Sequence, residues 1–249
     1  VDLQDVEMRY HGQNNLRPSL RFVDLPRGSP TSVVRRVAFN RGYSQEKFTS
    51  PPVLAVAANV LQPFLSRALA VLQVMMIERS VDVSIEETVT FRSMLPSIEI
   101  DASSQDTVLN RTLTVSSIFW NTHRGAKQGD GLTDDKLNAM IGAIHDIGFL
   151  SVLVGNVVAG SERSGFSGRG VRCGDRTNFQ RNEVASALAG YWFDWKYKGA
   201  CSTITNLTAW KIWEYSFYAE SHVRDLRIEG LRSLDARAGV FTRLLGGNP

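Results

Sequence analysis

The feature that most constrains this chain is a change in the spacing of its apolar residues near the middle. Up to about Trp120 they alternate with polar residues or gather in short β-branched runs. Beyond the polar stretch Asn121 to Gly131 they recur at three- and four-residue intervals. Alternation marks a strand with one buried face, and three/four spacing marks a helix with an apolar stripe. The expected fold class is therefore α+β: a β-rich, antiparallel, sandwich-like half over residues 1–122, followed by an α-helical region over residues 132–249.

In detail, Val33 to Phe39, Val53 to Leu61, Ala68 to Ile77, Val81 to Phe91 and Leu113 to Trp120 read as strands, with Pro, Gly, Asp and Ser between them. Phe64 to Arg79 fits a helix equally well. Thr133, followed by Asp134 and Asp135, has the chemistry of a helix start leading into Lys136 to Ile147, with Gly148 as its stop. Further helices are expected over Asn182 to Lys198, Thr205 to His222 and Val223 to Leu245. In the last two, Trp210, Trp213 and Phe217, and then Leu234, Ala238, Phe241 and Leu245, would each share a face. No internal repeat stands out.

No apolar run reaches the 18 residues of a membrane-spanning helix; Val53 to Leu61 and Phe149 to Ala159 are too short, so no span is expected. The net charge of +3 permits an anionic partner without requiring one. Lysine occurs only at Lys47, Lys127, Lys136, Lys196, Lys198 and Lys211 among 28 basic residues. Arginine's planar fork suits phosphate and carboxylate, and a codon bias would give the same ratio. The two cysteines, Cys173 and Cys201, are too few for an all-cysteine zinc site and too far apart for a CxxC pair, but they can form one disulfide. With the first residue Val1 and sequons at Asn110 and Asn206, a processed secreted protein, a polyprotein product and a trimmed chain all fit. The sequence does not fix a location; a virion and the secreted space both fit.

Residues Val34 to Phe39, Tyr43, Phe48 and Ser50-Pro51-Pro52-Val53-Leu54-Ala55-Val56, with the later run Leu113 to Trp120, resemble the opening and closing strands of H-type lectins. The resemblance covers about residues 30–122 and implies a β-sandwich that binds carbohydrate. The strand Leu69 to Val74 lacks the arginine that the family places at its sugar site, so no sugar-binding residue carries over.

The most unusual stretch is Gly160 to Arg181, rich in glycine and arginine. As a loop it would suit single-stranded nucleic acid, with Arg163, Arg169, Arg172, Arg176 and Arg181 on phosphates and Phe166 and Phe179 stacked on bases. A solvated connector between helices has the same composition. Histidines His11, His123, His145 and His222 show no metal-ligand spacing, and no nucleophile elbow or phosphate-loop lysine occurs. Neither metal nor cofactor is expected. The aromatic residues from Tyr191 to Tyr218 exceed what one helix face can bury, which implies a partner surface. Together these features favour a non-enzymatic, self-assembling structural protein, such as a viral coat or nucleoprotein subunit that touches nucleic acid through residues 160–181. A secreted carbohydrate-binding module is the alternative.

Overall fold

The structure is a computed structural model and describes residues 2–4, 6–9, 20–27, 31–40, 75–91, 93, 96–117, 142–148, 150–175, 177–193, 201–221 and 225–244. These residues form strands and no helix. Nearly all the strands pair in parallel, so the expected antiparallel sandwich and helical half are both replaced by one coil of parallel sheet.

Three faces build the coil. The first stacks β1 (Asp2–Gln4), β4 (Ser32–Arg35), β7 (Val83–Glu86), β10 (Val108–Asn110), β13 (Val152–Val154) and β16 (Phe179–Gln180). The second stacks β2 (Glu7–Arg9), β5 (Ala38–Asn40), β8 (Val89–Phe91) and β11 (Leu113–Ser117), and the third β3 (Leu20–Val23), β6 (Met75–Glu78), β9 (Ile98–Ile100) and β12 (Gly142–Asp146). In the later rungs the second and third faces fuse into single long strands: β14 (Val157–Gly168), β17 (Asn182–Phe193), β19 (Leu207–Ser221) and β21 (Arg232–Leu244). The first half of β14 pairs with β11 and the second half with β12. β18 (Cys201–Thr205) pairs in parallel with β20 (Asp225–Glu229), and β15 (Val171–Arg172) joins β18 as the one antiparallel pair among the named strands. The chain climbs one rung for roughly every 25 residues in the later turns, where Leu153 meets Phe179, Asn182 meets Leu207 and Thr208 meets Arg232.

In-register stacking explains the core. Val34, Ile85, Leu109, Leu153 and Phe179 follow one another on the first face, all buried. On the third, Met75, Ile98, Ile144, Phe166, Tyr191 and Phe217 do the same. Each side chain leaves water by covering its counterpart one rung away, at the strand spacing of about 4.8 Å. The two rows meet where Phe179 packs edge-on against Phe166 and Tyr191.

The helical spacing of the C-terminal half has a specific cause. Gly160, Ser186, Lys211 and Asp235 occupy equivalent places in the long strands, and all have positive φ. Each inserts an odd residue into the alternation. The inward positions of β19 therefore run Leu207, Ala209, Ile212, Phe217 and Ala219, a mixture of two-, three- and five-residue steps that mimics a helix. Trp210, Trp213 and Phe217 do not share a face: Phe217 is in the core, Trp213 is 72% exposed, and the Trp210 ring nitrogen donates to the Glu183 carboxylate at 2.6 Å. Of the helix expected over Lys136 to Ile147, the described part is strand β12. Tyr43, Phe48 and Ser50 to Val56 lie outside the described residues.

Candidate functional site

The corner between the first and second faces is a column of left-handed residues: Arg36, Glu87, Arg111, Gly155, Arg181, Asn206 and Gly230, with φ between 49° and 66°. Five of the seven are not glycine, although the conformation costs an L-residue about 1–2 kcal/mol. The stack below them compensates, because the next residue of each rung, from Val37 through Thr88, Thr112, Asn156, Asn182 and Leu207, is buried.

From Arg36 to Arg181 the side chains of this corner form a charged column interrupted at Gly155. Arg111 pairs with Glu87, and Arg35 pairs with Glu86 at 2.7 Å on the neighbouring strands. Gly155 then contributes no side chain. A groove of about 530 Å³ opens there, floored by Val108, Asn110, Val152 and Val154 and bounded by Arg111 and Arg181. Arg181 is exposed and makes no hydrogen bond or ion pair among the described residues.

A second surface lies at the C-terminal end. β21 pairs with β19 alone, so one edge of this 13-residue strand is unpaired among the described residues. Ser233 and Val240 stand over Ala209 and Phe217, which are completely buried, yet both are exposed, Val240 by 49%. Trp213, Leu234 and Val240 are three of the four large apolar residues exposed in the described structure. Beside them Ser186, Lys211, Trp213 and Asp235 line a shallower groove of about 430 Å³.

The third face carries a titratable row on its outer side. Glu99, His145 and Ser167 are in register on β9, β12 and β14, and His145 Nδ1 lies 2.7 Å from Ser167 Oγ. The Gly142 amide also donates to that oxygen. Ser167 and His145 are buried, so the hydroxyl is held inside a hydrogen-bond network rather than offered to a substrate. Burial, with Asp101 and Glu78 nearby, pushes the Glu99 carboxyl up to about 7. The row continues into a stack of Trp192, Tyr218 and Phe241, the first pair 3.8 Å apart.

The residues expected to bind nucleic acid are dispersed. Residues 160–181 are largely strand: Phe166 and Phe179 are core side chains only 1% exposed, and Arg163 is 4% exposed. Arg169 turns its guanidinium onto the Gly148 carbonyl, with Nε at 2.7 Å. Arg172 lies on β15, Arg176 falls outside the described residues, and Arg181 faces the groove. Cys173 is disulfide-bonded, and the one other cysteine of the chain, Cys201, begins β18. Among the described residues no helix is long and apolar enough to cross a membrane, and no cluster of three metal-ligating side chains occurs.

Residue-type reasoning missed Glu87, Arg111 and Gly155. The signal that finds Gly155 is a faint repeat: Gly155-Asn156-Val157-Val158-Ala159-Gly160, Arg181-Asn182-Glu183-Val184-Ala185-Ser186 and Asn206-Leu207-Thr208-Ala209-Trp210-Lys211 each run from one left-handed residue to the next. The chain matches no protein-family model and no curated protein.

Proposed function

We propose that this chain is a self-assembling structural protein whose coil associates through its last described rung. The observation that supports this reading is β21, with an edge unpaired among the described residues and exposed side chains at positions that are core one rung earlier. Such an edge is a template for another strand, and the exposed apolar side chains beside it favour cover. A second copy supplies both needs: main-chain pairing along β21 and apolar cover for Leu234 and Val240.

Sedimentation velocity across a concentration series tests the reading. The wild type should sediment as an oligomer that dissociates on dilution. Val240→Lys, which puts a charge on the exposed end, should shift it to monomer while the far-ultraviolet spectrum stays that of the wild type. A wild type that stays monomeric at the highest soluble concentration would overturn the proposal.

A further inference from the structure

We propose that the groove at Gly155 is a binding site for a monoanionic organic carboxylate with a flat apolar body. This inference is independent of the assembly reading, because the groove lies on the first face and not on the last rung.

Charge counting sets the ligand's anionic end. Two guanidiniums border the groove, on rungs two strand spacings apart, or roughly 9–10 Å. Arg111 is already neutralised by Glu87. Among the described residues Arg181 has no such partner, and the equivalent residues on the following rungs are Asn206 and Gly230, neither of them acidic. Among the described residues the site therefore has one uncompensated cation, and its planar fork matches a carboxylate in a bidentate contact. The groove exists because of Gly155: a side chain there would stand in the column between Arg111 and Arg181.

The floor sets the rest of the ligand. Val108, Val152 and Val154 present an apolar surface, with Asn110 as one hydrogen-bonding group. A strongly hydrated dianion such as phosphate would lose water over these valines without full charge compensation. A carboxylate on a ring or short hydrocarbon can lay its apolar part on the floor and turn its charge toward Arg181.

Titration calorimetry with sodium benzoate, against benzamide, acetate and inorganic phosphate, tests the site. Benzoate should bind saturably, and the other three should bind at least about tenfold more weakly, each lacking either the charge or the body or carrying too much charge. Arg181→Gln, a change at an exposed side chain, should lower benzoate affinity by about tenfold or more while the far-ultraviolet spectrum stays that of the wild type. Glu87→Gln should release Arg111 and add affinity for the dianion terephthalate, whose two carboxylates lie at opposite ends of the ring, a gain that unfolding cannot imitate. Absence of saturable benzoate binding, equal binding of benzamide, or wild-type affinity in Arg181→Gln would each overturn the proposal.

Discussion

Asn156 and Asn182 are joined across adjacent rungs: the backbone amide and the side-chain amide of Asn156 both donate to Oδ1 of Asn182, each at 3.0 Å. The ladder extends both ways. Asn156 Oδ1 accepts from the Thr112 amide and hydroxyl, and the Asn182 side chain donates to the Leu153 carbonyl. The side-chain amides of both asparagines thus find all their partners inside the coil, where water cannot supply them.

Replacing Asn182 with alanine should therefore cost about 2–4 kcal/mol of unfolding free energy, because it strands two buried donors of Asn156 and the Leu153 carbonyl together. Chemical denaturation of Asn182→Ala measures this. A double variant with Asn156→Ala should lose clearly less than the sum of the single losses, since the two residues share bonds.

Glu99 gives the coil a pH dependence with a definite sign. Its carboxyl titrates near 7 in the folded chain and near the ordinary 4.5 when unfolded, so the folded state holds the proton more tightly. The resulting stabilisation is complete below about pH 4.5 and is lost as pH rises through 7. Glu99→Gln is uncharged at every pH. Relative to wild type it should gain on the order of 2 kcal/mol between pH 4.5 and pH 8, as measured by thermal melts of the two proteins side by side. A constant difference across that range would contradict the assigned burial.

Phe166 and Phe179 should behave as core residues. Each truncation to alanine should destabilise the fold by about 3–5 kcal/mol. Their ring centroids are 5.8 Å apart, so the double variant should fall short of additivity. Under a base-stacking role, both truncations would instead leave the melting temperature nearly unchanged.

The N-terminal strands were legible because short alternating runs such as Val33 to Phe39 have few other readings, although the turn at Arg36 divides that run in two. Their parallel pairing was not legible, since alternation says which face is buried and nothing about the neighbouring strand. The long strands were misread for a local reason: one left-handed residue, such as Lys211, shifts the phase by one and turns a period of two into apparent helical spacing. The density of Thr, Ile, Trp, Tyr and Phe from Thr203 to Tyr218 is a strand signal that this periodicity overrode. At the candidate groove only Arg181 came from residue-type reasoning. Gly155 matters for the side chain it lacks, and that becomes visible only once the rungs are superposed.

The fusion of the second and third faces in the later rungs gives the molecule a seam. In the earlier rungs the two faces are separate strands, β2 and β3, β5 and β6, β8 and β9, β11 and β12, whereas from β14 onward a single strand spans both. The column of left-handed residues at another corner keeps its register through both arrangements. The scaffold therefore counts its turns from one corner, whether its other two faces are built as separate strands or as a single one.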